Sequence, residues 1–163
     1  MKIPLTINTQ EVFVDCAPGE LLVNVLRKQR FFSVKDTDST GLSGSSTILL
    51  DNKPVPSCLL PVAAARDSEI ITLEYFSSFP EYKIIQEQLF HADVKFCGLC
   101  NPGKLFTAYD IILSTYRPTM DEVVSRLKDF TCCCVDVEAF AKVIIKSAYV
   151  FRQSIGIKDA KKQ

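Results

Sequence analysis

The chain has 163 residues, room for one good core or two small ones, since domains most often run to about 100–150 residues. Its 19 Lys and Arg residues balance 19 Asp and Glu residues, so the formal net charge is zero. Without a positive field the chain is not expected to bind nucleic acid. No stretch reaches about 18 uninterrupted apolar residues, and the start MKIPLTINTQEV has no apolar run of signal-peptide length. The sequence therefore predicts a cytoplasmic protein without membrane insertion.

The first half of the chain is predicted to be a small mixed sheet packed on one helix. Apolar residues that alternate with polar ones, closed by turn residues, indicate the strands. Apolar residues repeat at helical spacing between Leu21 and Leu26, which predicts a short amphipathic helix. The predicted strands are residues 3–7, 11–15, 47–50, 55–60 and 69–75.

From Pro80 onward the apolar residues repeat at helical spacing, which predicts four helices. The second helix begins near the Pro102-Gly103 turn, and the third begins at Thr119, which forms a capping-box pattern with Glu122. We therefore predict two domains and a tail. The predicted segments are residues 1–76, a linker at 76–79, residues 80–156, and a polar tail at 157–163.

Seven cysteines are unevenly placed along the chain. Cys16 and Cys58 are isolated, whereas five thiols lie in two tight groups, at residues 97–100 (CGLC) and 132–134 (CCC). An odd number of clustered cysteines in a reducing compartment favours metal binding over disulfide bonds. Both groups lie between predicted helices, so two loops at one end of a helical bundle would bring four thiolates together.

Four of these cysteines are predicted metal ligands, with Cys133 as a neighbour. A CxxC pair lets two sulfurs reach one centre around a tight turn, where Gly98 leaves room for the backbone to bend. Thiolates bind soft ions, so the spacing leaves both zinc and an iron–sulfur cluster open. Isolated cysteines are more simply explained as buried apolar residues. The predicted ligands are Cys97, Cys100, Cys132 and Cys134.

Three segments carry a resemblance to a known family: FCGLCNPGKLFTAYDIILS, TMDEVVSRLKDFTCCC and EAFAKVIIKSA. Their order resembles the carboxyl-terminal half of the small iron–sulfur subunits of molybdenum hydroxylases, the group of xanthine dehydrogenases, aldehyde oxidoreductases and carbon monoxide dehydrogenases. In the first half, LLVNVLRKQ and STILLDNKPVPSCL resemble the plant-ferredoxin-like domain of these subunits. The resemblance implies an α+β fold, with a ferredoxin-like (β-grasp) domain followed by a four-helix bundle that binds a [2Fe-2S] cluster.

The loop DSTGLSGSST at residues 38–47 departs from the family pattern. In the family this loop carries a CxxxxCxxC arrangement, and a fourth cysteine downstream completes an amino-terminal [2Fe-2S] site. The matching residues here are Asp38, Ser43 and Ser46, and only the fourth, Cys58, is a thiol. Hydroxyls and a hard carboxylate are poor ligands for iron–sulfur chemistry, so this cluster is expected to be lost. An oxygen site for a hard cation is the alternative.

By the same resemblance, Cys97, Cys100, Cys132 and Cys134 hold the second [2Fe-2S] cluster, the one nearest the molybdenum cofactor. The residue before the CGxC motif is usually a glutamine that hydrogen-bonds the pterin, and here it is Phe96, whose ring cannot form those bonds. The last cysteine of the CxC motif lies close to the pterin in the family. Cys134 is therefore the implied cofactor contact.

The resemblance implies an electron-transfer subunit of a molybdenum hydroxylase complex that supplies no catalytic residue. Its expected partner is a large molybdopterin-binding subunit, and a flavin subunit is a further candidate. Two alternatives stay open: a zinc-binding structural or assembly subunit, and a scaffold that keeps the subunit interface but carries electrons poorly.

Overall fold

The computed structural model of the protein describes residues 1–131 and 134–156. The protein has the mixed α+β fold that its sequence predicts. The strands are β1 (Lys2–Ile7), β2 (Gln10–Asp15), β3 (Thr47–Leu50), β4 (Lys53–Pro56) and β5 (Glu69–Ile71). The helices are α1 (Leu22–Lys28), α2 (Leu73–Phe76), α3 (Pro80–His91), α4 (Asn101–Ser114), α5 (Met120–Leu127) and α6 (Val137–Ser154). None of these helices has the length and apolar character of a membrane span. The predicted tail at 157–163 lies outside the described residues.

The five strands form one sheet in the order β2-β1-β5-β3-β4. Strands β1 and β2 form the predicted antiparallel hairpin, with Ile3 opposite Val14. Strand β5 pairs parallel with β1 and antiparallel with β3. Because β5 joins the first hairpin to the β3–β4 hairpin, the first half of the chain forms the small mixed sheet that its sequence predicts.

Helices cover both faces of this sheet. Ile48 and Ile70 belong to the core that contains α1, whereas their neighbours Leu49 and Ile71 belong to the core of the later helices. Successive side chains of a strand point to opposite faces, which explains why both members of the pairs Ile48–Leu49 and Ile70–Ile71 are buried. Helix α4 contacts β3 and β4 on the second face.

Two predicted strands are wrong in their second halves. The strand predicted at residues 69–75 ends at Ile71, and helix α2 follows. At this point the Asn8 side chain accepts the N–H of Thr72 at 2.9 Å and donates to its hydroxyl at 3.0 Å, so a side chain satisfies groups that a longer strand would pair. The strand predicted at residues 55–60 ends at Pro56, where a 3-10 turn (Ser57–Leu59) begins.

Two of the four residues predicted as a linker at 76–79, Phe76 and Phe79, pack in the core of the later helices, whereas Ser77 and Ser78 are exposed. Phe76 is fully buried, and its ring centroid lies 5.3 Å from Phe79, 5.7 Å from Tyr82 and 5.0 Å from Tyr109. These edge-to-face contacts add to the energy of burying large rings. The chain therefore passes from the sheet to the helices through an aromatic cluster, which no periodicity in the sequence predicts.

Helices α3 to α6 pack together, and α6 contacts each of the other three. Helix α5 begins with the predicted capping box, in which Thr119 accepts the N–H of Glu122 and the Glu122 carboxylate accepts the N–H of Thr119. Asp136 caps α6 by accepting the N–H of Ala139 at 2.8 Å. The caps fix the first residues of both helices and therefore the lengths of the loops before them.

Asp110 on α4 connects the helices to the edge of the sheet. Its side chain is largely buried, accepts a hydrogen bond from Lys53 at 3.1 Å and forms an ion pair with Arg126 on α5. Burial raises the pKa of this carboxyl, but the hydrogen bonds from Arg126 and Lys53 outweigh it, and the pKa lies below its ordinary value. Asp110 therefore stays charged and holds β4, α4 and α5 together.

Replacing Asp110 by Asn should lower the free energy of unfolding by about 1–2 kcal/mol, because two cations lose their anion while their exposed ends remain solvated. Asp129→Asn, at an exposed residue of the turn after α5, is the control and should change it by less than about 0.5 kcal/mol. Urea unfolding at neutral pH measures both differences.

The loss of unfolding free energy in Asp110→Asn should also depend on pH. Because the pKa of Asp110 is lower in the folded than in the unfolded protein, its contribution is complete above the ordinary aspartate pKa of about 3.9 and is lost as the pH falls through the folded value. The difference between the parent and Asp110→Asn should therefore shrink as the pH falls below the ordinary aspartate pKa. An undiminished difference below that pKa would contradict this account.

Candidate metal centre

Three of the four predicted ligands lie together. The Sγ atoms of Cys97, Cys100 and Cys134, here called the sulfur group, all lie within 4.8 Å of one another. Cys97 is exposed, Cys100 is buried and Cys134 is half-buried. The fourth predicted ligand, Cys132, and its neighbour Cys133 lie outside the described residues. The two cysteine loops thus meet at one place, as their positions between helices predict.

The first cysteine loop is shaped by Gly98 and by the start of α4. Gly98 has a φ of +90°, and a Cβ there would meet nothing within 4 Å, so conformation rather than space requires glycine. Cys100 is the N-cap residue of α4, and Pro102 stands in the first turn, where its missing N–H carries no penalty. The amino end of a helix favours negative charge, so α4 stabilises an anionic sulfur at Cys100.

Lys104 is a site residue that the sequence analysis did not identify. Its side chain is 4% exposed, and its Nζ donates to Sγ of Cys100 at 3.2 Å and to Sγ of Cys134 at 3.3 Å. An i, i+4 spacing places Cys100 and Lys104 on the same side of α4, and this spacing is the signal in the sequence. A buried ammonium group requires a counter-charge, which the sulfurs provide.

Phe96 forms the apolar side of the site. Its ring packs edge-on against Phe140 at a centroid distance of 5.2 Å, and the Nζ of Lys104 lies 5.4 Å from its centroid. The aromatic ring therefore offers a cation–π contact and shields one side of the ammonium from water. It offers no hydrogen bond to a ligand of the neighbouring surface.

The loop with lost cysteines is closed by its own polar groups. This hydroxyl loop, residues 37–46, has Asp38 accepting the N–H of Thr40 at 2.9 Å, the hydroxyl of Thr40 at 2.7 Å and the N–H of Ser43 at 3.2 Å. Hydrogen bonds from Ser43 and Thr40 lower the pKa of Asp38 to about 2. The Ser45 hydroxyl bonds those of Thr37 at 2.6 Å and Ser43 at 2.9 Å. Side-chain hydrogen bonds thus hold the loop's conformation.

Ser46 and Cys58, the remaining two positions of the lost pattern, are both buried. The carbonyl of Ser46 accepts the N–H and the hydroxyl of Ser57 at 3.0 and 2.6 Å, which brings Cys58 beside the hydroxyl loop. Cys58 lies in the 3-10 turn that begins at Ser57, not in a strand as predicted. Among the described residues, the sulfur group is the one set of three or more Cys, His, Asp or Glu side chains close enough to share a metal ion.

The hydroxyl loop and the loops of the sulfur group are in direct contact. The N–H of Gly103 donates to the carbonyl of Gly44 at 2.8 Å, and the N–H of Thr131 donates to the carbonyl of Leu42 at 3.1 Å. A Cβ on Gly103 would lie 2.6 Å from the Cα of Gly44, and a Cβ on Gly44 would lie 2.6 Å from the ring of Phe130. Both glycines are therefore required by close approach, whether or not the hydroxyl loop holds metal.

Known proteins resemble the chain over nearly its whole length. It is 29% identical over 135 residues to the nicotinate dehydrogenase small FeS subunit of Eubacterium barkeri, covering 82% of this chain and 86% of that protein. It is 30% identical over 148 residues to the xanthine dehydrogenase iron-sulfur-binding subunit of Escherichia coli O157:H7, covering 89% and 92%.

A solved structure matches the fold of this chain over nearly its whole length. The crystal structure of quinoline 2-oxidoreductase from Pseudomonas putida 86 matches with a TM-score of 0.83 and 28% identity, over 97% of this chain and 98% of that one. No protein-family model matches the chain. The names of these relatives place the chain among small iron–sulfur proteins. The chain belongs to the family of small iron–sulfur subunits of molybdenum hydroxylases, which confirms the resemblance carried by its motifs.

The Gly44–Gly103 contact can be tested by whether a substitution at Gly103 raises or lowers the free energy of unfolding. Replacing glycine by alanine inside a helix normally stabilises a protein by about 0.5–1 kcal/mol. Gly103→Ala should instead destabilise it by about 1–3 kcal/mol, because the added Cβ meets the backbone of Gly44. Urea unfolding of the metal-loaded protein measures the change.

Gly19→Ala is the control for this test, because nothing lies within 4 Å of a Cβ there. It should carry only the cost of a left-handed backbone, about 1–2 kcal/mol. A Gly103→Ala protein more stable than its parent would mean that the two loops do not touch.

Proposed function

We propose that this chain is the electron-transfer subunit of a molybdenum hydroxylase-type oxidoreductase and holds one [2Fe-2S] cluster through Cys97, Cys100, Cys132 and Cys134. The convergence of three of these sulfurs, in a chain whose relatives are named FeS subunits, is the observation that carries the proposal. A bound cluster of this type supplies one-electron chemistry. The chain's own residues bind it, orient it and control its surroundings.

The donor set supports this assignment. The three sulfurs of the sulfur group lie within 4.8 Å of one another, close enough to bind a common metal centre. Thiolate ligands suit soft metals and iron–sulfur clusters, and the names of the relatives favour the cluster over zinc. Helix α4 and Lys104 place positive charge beside these sulfurs, which offsets the repulsion between several thiolates.

The proposal assigns residues 1–76 to a ferredoxin-like β-grasp domain and residues 80–156 to a four-helix [2Fe-2S]-binding domain. A mixed five-stranded sheet with α1 on one face supports the first assignment, and the packing of α3 to α6 supports the second. The first domain holds no cluster in this proposal. Three of its four ligand positions offer oxygen in place of sulfur, and hydrogen bonds within the hydroxyl loop already engage Asp38 and Ser43.

A large molybdopterin-binding subunit is the proposed partner, and it would face the sulfur group. Cys97 and Leu99 are exposed, so this loop is available for contact with another chain. Cys134 is the proposed contact with the pterin, whereas Phe96 offers hydrophobic contact instead of the hydrogen bonds of a glutamine. If a flavin subunit also belongs to the complex, electrons reach it without a cluster in the first domain.

Anaerobic reconstitution should give about two irons and two sulfides per chain, with visible absorbance, because one complete set of four thiolates is present. Cys100→Ser and Cys134→Ser should abolish or severely weaken this absorbance, since each removes a thiolate. Cys16→Ser and Cys58→Ser are the controls and should keep it, at about 1–2 kcal/mol of stability for altered packing. Iron and sulfide analysis with absorption spectra makes the measurement.

Each contrary outcome has a distinct meaning. A chain that retains zinc and stays colourless after reconstitution would replace the proposal by the zinc-binding structural subunit. A stable content of four irons would show that residues of the hydroxyl loop ligate after all. Loss of colour in Cys58→Ser, with Cys100→Ser unaffected, would place the cluster in the first domain.

A further inference from the structure

Lys104 places a positive charge directly against the sulfur group. Its Nζ contacts two of the three sulfurs, Cys100 at 3.2 Å and Cys134 at 3.3 Å, from the first turns of a helix whose amino end already favours negative charge. Hydrogen bonds and charges at the sulfurs are among the factors that set the reduction potential of an iron–sulfur cluster. This lysine therefore supplies both factors at once.

Little water screens this charge. The side chain of Lys104 is 4% exposed, and the ring of Phe96 covers it at 5.4 Å. On another side, Lys104, Leu127 and Phe140 border a cavity of about 10 Å³, at the lower limit of the space that one water needs. Charges separated by three to four ångströms interact several times more strongly in such surroundings than in bulk water.

We propose that Lys104 is a positioning residue that raises the reduction potential of the metal centre by stabilising its reduced form. This inference rests on the proposed function. In the step concerned, one electron passes from a one-electron donor, such as the partner's cofactor or dithionite, to the centre. No bond of the chain forms or breaks and no proton moves. The negative charge beside Lys104 grows by one unit, and the fixed ammonium attracts the additional charge.

A packing role for Lys104 makes a different prediction. Methionine has a similar length and fills the same apolar space without the charge, so a lysine that only fills space would be replaced by methionine with no change in potential. Arginine keeps the charge and the donors while it alters the shape. Lys104→Met and Lys104→Arg therefore separate charge from packing.

The test is a redox titration of the reconstituted full chain with mediators, followed by its visible absorbance. Lys104→Met should reduce the equilibrium constant for one-electron reduction at least tenfold, which is a midpoint about 59 mV lower. Lys104→Arg should stay within threefold of the parent. Lys95→Met is the control, because Lys95 lies near the same cysteine loop but is 84% exposed and paired with Asp93; it should change the constant less than twofold.

If Lys104→Met has full iron content and its equilibrium constant for one-electron reduction lies within twofold of the parent's, the inference is overturned. If Lys104→Met does not load iron, Lys104→Gln is titrated in its place with the same expectation. Loss of iron from both neutral variants, with full iron in Lys104→Arg, supports a requirement for the charge; loss from all three overturns it. A parent chain that binds no iron would instead defeat the proposed function, so the two failures are distinguishable.

Discussion

The burial of helix α4 on both sides is the constraint on which the rest of the structure depends. Every residue from Pro102 to Ile112 is buried, because the sheet covers one side of the helix and α3, α5 and α6 cover the other. Helix α4 therefore cannot shift without disturbing its packing against the sheet on one side and against the other helices on the other side. Its amino end carries Cys100, Gly103 and Lys104, and its middle carries Asp110. The packing of apolar side chains thus positions Cys100, one member of the sulfur group.

The same constraint explains why the hydroxyl loop requires glycine at residue 44. Gly44 is pressed against Gly103 at the start of α4, with the ring of Phe130 beside it. This contact holds the first half of the chain against the sulfur group, so it matters for the second metal site even if the first is absent. Hydrogen bonds around Asp38 and Ser45 fix one conformation of this loop's backbone.

Local features could be predicted from the sequence. The β1–β2 hairpin follows from alternation, the start of α5 follows from its capping box, and the meeting of the two cysteine loops follows from their place between helices. The features that were missed depend on contacts between distant residues. Asn8 ends strand β5 from 64 positions away, and Phe76 is buried by residues of α3 and α4. No local pattern specifies such contacts.

Lys104 is an intermediate case. Its spacing from Cys100 is visible in the sequence, but only the fold shows that Cys134 and Phe96 close around its ammonium group. A lysine on a helix is ordinarily exposed, and its burial here becomes understandable because anionic sulfur lies within hydrogen-bonding distance. The environment of Lys104 therefore depends both on its spacing from Cys100 and on the side chains that the fold brings around its ammonium group.

In the proposed function, the chain holds one cluster, at the sulfur group, and none in the hydroxyl loop. Spin-quantified electron paramagnetic resonance of the reconstituted full chain, fully reduced with dithionite, tests it most directly, because each reduced [2Fe-2S] cluster contributes its own signal. The account predicts a single species that integrates to about one spin per chain and shows no splitting from a second nearby centre. Two signals, or magnetic coupling between two clusters within one chain, would contradict it.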